Sequence, residues 1–390
     1  MPEELLPSRA PTLLGPNVFL GPDLFNPPAP QGWLSITPTF TLWGEYNDNA
    51  SFDNSDRKSD FSIGFSPGVT VSVQRPRYSL LGGYNVSGQY STRDGDFEFG
   101  DSHRLFGNLF YQLAPRVQLT LTEAFVKDQD SSLVTTGGES AGRRDSWRNT
   151  LTPRLRWQAT PSTGFGVLAS HTIVRFDDTD DGSGRGRDSD TFRLGLDATH
   201  RFTPRLIGTM DLTAAYLDFE DEPSTRTYTL RPGLIYDVTQ TLRASVFAGP
   251  SLVERDGDWD VRPAVSATLI QALKFGSLRV GYDRVVTAET VGIAERQVFF
   301  AALTVPTLLR GLSLSFIPRY SIIKRDLADD DEDEGKVLSL NLRATYQIAR
   351  NISLIGAYTF FRQREDQGGT DVDQNRVFLG VQYAFPINFY

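Results

Sequence analysis

In the stretch from Trp147 to Ala159, Arg148, Arg154, Arg156 and Gln158 share one parity, and Trp147, Leu151, Pro153, Leu155 and Trp157 share the other. A second set interleaves in the same way: Arg193, Asp197, Thr199 and Arg201 alternate with Phe192, Leu194, Leu196, Ala198 and Phe202. Asp211, Asp283, Arg319 and Arg343 hold the matching polar parity farther along. On an extended chain, residues two apart face the same way. Guanidinium groups gathered on one face either attract anions or pair with carboxylates to brace a wall. The sequence leaves both chemistries open, with Asp197, Asp211 and Asp283 as the bracing partners.

Other chemistry is thinly represented. The acidic runs Asp177-Asp-Thr-Asp-Asp-Gly182 and Asp326-Leu-Ala-Asp-Asp-Asp-Glu-Asp-Glu-Gly335 offer oxygen ligands for divalent cations. Neither has EF-hand or nonapeptide spacing, so solvated loops are expected. His103, His171 and His200 lie far apart with no i, i+4 pair, which argues against a zinc site. The absence of cysteine excludes disulfides, thiolate metal sites, iron–sulfur clusters and haem attached through thiols of this chain. There is no nucleophile elbow, Walker loop or dinucleotide fingerprint, and Gly182-Ser-Gly-Arg-Gly186 has no helix after it to cradle phosphate. No catalytic residue and no cofactor is expected. A net charge of -9 argues against nucleic-acid binding, which needs a basic face.

The arginines need a scaffold that alternates, and alternation fills the chain. Leu34, Ile36, Pro38, Phe40, Leu42 and Tyr46 oppose Ser35, Thr37, Thr39, Thr41 and Glu45. Phe61 to Val73 and Leu338 to Ile348 repeat the pattern, and the chain ends on Val377, Leu379, Val381, Tyr383, Phe385, Ile387 and Phe389 before Tyr390. These stretches are longer than the roughly five to six residues of a soluble strand. They suit a tilted strand crossing a bilayer, which needs about nine to eleven. Only a closed sheet satisfies its backbone there, and a 12% aromatic share suits interfacial girdles.

Short turns recur at 74–77, 113–116, 159–162, 202–205, 238–241, 274–276, 306–311 and 348–351. Longer polar stretches lie between them, among them 127–145, 177–190, 326–336 and 362–375. The spacing predicts an all-β, up-and-down antiparallel transmembrane barrel of about eighteen strands over residues 33–390, with short periplasmic turns and long extracellular loops. The strands are too long for a nine-bladed propeller. Pro38, Pro67, Pro153, Pro232, Pro250, Pro263 and Pro318 fall inside strands and are assigned to bulges or rim positions. Residues 1–32 are too proline-dense for regular structure and read either as an extended arm, periplasmic or lumenal, that docks on a partner or inside the lumen, or as a disordered leader. No secretory signal is visible at the start, so the sequence reads as mature-like or shortened.

A charge on the lipid face costs about 2–4 kcal/mol at the midplane. Parity therefore turns Arg148, Arg154, Arg156, Arg193, Asp197, Arg201, Asp211, Arg319 and Arg343 toward a lumen as pore-lining residues. Such a lumen favours anionic solutes.

The segments Ser35-Ile-Thr-Pro-Thr-Phe-Thr-Leu-Trp-Gly-Glu-Tyr-Asn-Asp-Asn49, Pro67-Gly-Val-Thr-Val71 and Tyr78-Ser-Leu-Leu-Gly-Gly-Tyr84, with the turn at 202–206, resemble the β-barrel porin 2 family. The resemblance spans Trp33 to Tyr390. It implies a bacterial outer-membrane barrel associated with exopolysaccharide export and brings no catalytic residues. The expectation is a porin-like conduit in contact with outer-membrane lipid. The alternative is a structural sleeve around a periplasmic or electron-carrying partner in a membrane complex.

Overall fold

The computed structural model describes residues 32–93, 95–130, 143–177, 187–220, 222–288, 293–326, 332–365 and 371–390. The arm expected over residues 1–32 lies outside the described residues except for Gly32. The strands are β1 (Leu34–Asn47), β2 (Asp60–Gln74), β3 (Tyr78–Ser91), β4 (Phe97–Ala114), β5 (Val117–Asp130), β6 (Arg143–Gln158), β7 (Thr163–Phe176), β8 (Ser189–Arg201), β9 (Leu206–Phe219) and β10 (Glu222–Asp237). There follow β11 (Leu242–Arg255), β12 (Asp258–Leu273), β13 (Gly276–Ala288), β14 (Ile293–Leu309), β15 (Leu312–Asp326), β16 (Glu332–Ala349), β17 (Ile352–Glu365), β18 (Val372–Ala384) and β19 (Ile387–Phe389).

Each strand pairs antiparallel with its sequence neighbours, and β1 closes the sheet by pairing with β18 and β19 as well as β2. Ala384 faces Thr39 and Ile387 faces Ile36, the same offset, so β19 continues β18 past Pro386 and the barrel has eighteen strands. Alternation sets the register. Leu42 lies between Phe65 and Val381 on the outer face, 57% exposed, while Thr41 lies between Ser66 and Gln382, 1% exposed. A slip of one residue would turn that whole apolar row into the lumen.

The prolines are not at bulges. Pro38 faces Val69, Pro153 faces Leu121, Pro232 faces Met210, Pro250 faces Pro263 and Pro318 faces Leu340, all in continuous register. An antiparallel residue directs its N–H toward one neighbour only, so a proline removes one ladder bond and leaves the other side intact. The bulges lie elsewhere, for example between Val305 and Leu309, where β14 runs through the expected turn and leaves only Arg310 and Gly311 to reverse the chain.

The opposite rim also departs from expectation. Strands climb into the polar stretches: β5 reaches Asp130, β6 starts at Arg143 and β16 starts at Glu332. At Asp256 and Gly257 the reversal is a two-residue turn with φ of 53° and 86°, the conformation that matches strand twist.

Small apolar clusters sit inside this second rim. Phe52, from the β1–β2 connection, packs in a cluster with Ala294, Ile323, Val337, Phe361 and Val372 of β14–β18. On the other side β13 pairs with β12 only as far as Arg284 yet stays paired with β14 to Ala288. The released end leans over the mouth, and Val286 packs on Leu217 and Phe219 with Val253 beside them.

Candidate functional site: the arginine-lined lumen

The register places the residues expected in the lumen on the face opposite the exposed apolar row. Arg148, Arg154 and Arg156 alternate along β6 with Leu151, Leu155 and Trp157, whose exposed side chains form the outer wall. Arg193, Asp197 and Arg201 do so on β8 against Phe192, Leu194 and Leu196, and Asp211 faces Asp197 from β9. Asp283 on β13 faces Ser266, Arg319 on β15 faces Ser339, and Arg343 on β16 faces Ser315.

Both chemistries open in the sequence are present. Bracing dominates on β6–β10: Arg154 Nη2 donates to Asp197 Oδ1 at 2.6 Å, and Arg231 Nη2 donates to Asp211 Oδ2 at 3.0 Å. Gly166, opposite Asp197, makes this possible, because a Cβ there would collide with the carboxylate. Arg156 lies in the field of Arg154 and Asp197, so two guanidinium groups share one carboxylate. Arg193 interacts electrostatically with Arg231, Arg296, Asp211 and Asp283, again an excess of cations over anions.

On the other wall the excess is plainer. The inward rows Val298 to Thr304 of β14, Ser313 to Ser321 of β15, Val337 to Gln347 of β16 and Ser353 to Gln363 of β17 contain Arg319 and Arg343 and no carboxylate. Nearby Arg279 lies over the Phe300 ring at 5.4 Å.

Sequence reading missed Arg104, Arg231, Arg279, Arg296 and Arg376. Arg231 was within reach, since Leu230 and Pro232 bracket it with outward parity. Arg296 was not: its inward row, Ala294, Val298 and Phe300, is as apolar as the outward Phe299 and Ala301, so hydrophobicity does not choose a face. Arg376 forms a bidentate pair with Glu45 at 2.8 and 3.1 Å across the closing seam. Trp43 also faces in, its Nε1 donating to Ser66 Oγ at 3.1 Å and its ring stacked on Phe378.

Parity fails for several charges toward the long-loop rim, such as Arg175, Asp190 and Glu334, and for one charge lower on the wall. Glu123 on β5 faces Gly107 and Leu151, both outward, and so projects from the lipid-facing wall. The histidines face outward as well: His103 bonds Tyr84, His171 bonds Asp190 and stacks on Phe192, and His200 bonds Thr163. Among the described residues no group of metal-ligating side chains forms. The run 178–186 lies outside the described residues. In the second acidic run, residues 332–335 belong to β16 rather than a loop, with Glu334 bridging Lys324 and Lys336. In the β1–β2 connection the Ser55 hydroxyl and backbone N–H hold the Asp53 carboxyl below its ordinary range.

No family model and no curated protein matches the chain. Among solved structures it is similar to OpdO of Pseudomonas aeruginosa, with a TM-score of 0.49 and 13% identity over 91% of this chain and 97% of that one. OccAB4 of Acinetobacter baumannii gives a TM-score of 0.48 and 12% identity over 93% and 100%. The exopolysaccharide association implied by the family resemblance finds no support in these comparisons.

Proposed function

We propose that the chain is a porin-like conduit of the bacterial outer membrane that favours small anionic solutes. The observation that carries this reading is the carboxylate-free inner sector of β14–β17, holding Arg319 and Arg343, opposite the arginines of β6–β8. Eighteen strands leave room for an aqueous channel, and an outward row of Leu, Phe, Tyr and Trp suits lipid. The test is the reversal potential of single channels in a planar bilayer under a potassium chloride gradient. Anion selectivity supports the reading. Cation selectivity overturns it, and a barrel that never conducts but holds a haem protein would establish the sleeve instead.

A further inference from the structure

Glu123 occupies a place where a carboxylate has no business in a bare lipid-facing wall. On the neighbouring strand the outward Trp147 and Trp157 stand ten residues apart, about 33 Å along the strand at roughly 3.3 Å per residue. Tilted by about 40°, that separation spans the roughly 25 Å apolar band between aromatic girdles. Leu151, which faces Glu123, lies between the two tryptophans, so the carboxylate sits near the bilayer midplane. Its outward neighbours are Leu121 and Phe125 on its own strand, Leu105 and Leu109 on β4, and Asn149 and Pro153 on β6, and its carboxylate makes no hydrogen bond or ion pair with any described residue. Beside it the outward glycines Gly82 and Gly107 face each other, leaving a notch: a Cβ at either would meet nothing closer than 3.4 Å. The notch is thus not forced by internal packing.

The geometry points to a protein contact face in the plane of the membrane, with Glu123 receiving a lysine or arginine from another membrane-embedded protein. An ionisable group inside the bilayer is held by pairing with an opposite charge or by a water-filled cavity, and this one faces neither its own lumen nor a partner among the described residues of its own chain. A second copy inserted in the same direction is a poor source of that charge. Among the described residues the outward cations on the strands, Lys127, Arg175, Arg226, Arg284, Lys324, Lys336, Arg362 and Arg364, all stand in the half of their strands toward the long loops, above the level of Glu123. Small residues at the notch let a neighbouring backbone approach closely, as they do where membrane segments pack. The inference does not depend on whether the barrel conducts.

The full chain, labelled at its N-terminus and folded into phosphatidylcholine vesicles, is titrated with labelled leucine-rich transmembrane peptides that carry a central lysine or a central leucine. Energy transfer should report tighter association of the lysine peptide by about tenfold, close to 1.4 kcal/mol. Glu123→Leu and Glu123→Gln should each abolish the difference. Equal association of both peptides, or a preference that survives Glu123→Leu, overturns the inference. Sedimentation in detergent is the second arm: a wild-type oligomer that Glu123→Leu converts to a monomer would assign the face to a second copy and overturn the heterologous partner.

Discussion

Gly166 on β7 and Asp197 on β8 face each other across the ladder, and the missing side chain of one makes the space that the carboxylate of the other fills. That carboxylate holds Arg154 at 2.6 Å. Gly166→Ala should displace Asp197 and break the pair. Charge-assisted hydrogen bonds contribute about 1.5–3 kcal/mol, and discounting for water in the lumen leaves an expected loss of roughly 1 kcal/mol. Urea unfolding from lipid vesicles reads that loss. The same variant should alter ion selectivity, because Arg154 and Arg156 then lose the acid they share.

Arg319→Gln and Arg343→Gln act on the sector without carboxylates. Each should shift the reversal potential toward cations, and the double variant should shift it further. Arg243 is the control: it lies beside the 238–241 turn and gives two donors to Asp237, so Arg243→Gln should change selectivity less. Salt supplies an independent check. The screening length falls from about 10 Å at 0.1 M to about 3 Å at 1 M, so anion preference should weaken steeply between those concentrations. Selectivity that ignores salt would point to size sieving in place of the arginine field.

The strand count and closure were legible because a lipid-facing wall keeps a strict two-residue period. Leu42 and Thr41 differ by one position, yet one is exposed and the other fully buried. Legibility fell where that contrast disappears. Arg296 stands in a row flanked by apolar residues on both faces, and the Phe52 and Val286 clusters are apolar groups inside a polar lumen, brought together by connections rather than by alternation. The cost of an outward charge holds only within the apolar band. Arg175, Asp190 and Glu334 face outward near the long-loop rim, where strands rise beyond the apolar band and both faces meet water.

Phe52 should govern the width of the mouth. It is 5% exposed at a φ of 55°, and the connection that carries it is tied to β18: Asn49 Nδ2 donates to the Asp373 carbonyl at 2.8 Å, and Gln374 Nε2 donates to the Asn49 carbonyl at 3.0 Å. Phe52→Ala leaves those bonds but removes the ring from the cluster, a change worth about 3–5 kcal/mol in a closed core and less at an open mouth. The connection should loosen rather than the barrel unfold. Single-channel recordings should show larger or noisier conductance with unchanged selectivity, since no arginine moves. A drop in conductance would mean that the ring props the mouth open.

Gly32 should be needed to bring the first strand onto the last. Its φ of 87° is one that L side chains rarely adopt, and a Cβ there would strike the Phe389 carbonyl. That carbonyl is in use: the Trp33 N–H donates to it at 3.0 Å, and the Trp33 carbonyl in turn accepts from the Gln74 N–H at 2.8 Å. Holding a non-glycine residue in such a conformation costs about 1–3 kcal/mol. Gly32→Ala should therefore release Trp33 from Phe389 and fray the short β1–β19 ladder, while the β1–β18 ladder from Thr39 to Asn47 keeps the barrel shut. Amide exchange should quicken at Trp33 and along Ile387 to Phe389 but not at Leu42 or Val381. Uniform quickening along the whole seam would show that closure depends on this corner and not on the long ladder above it.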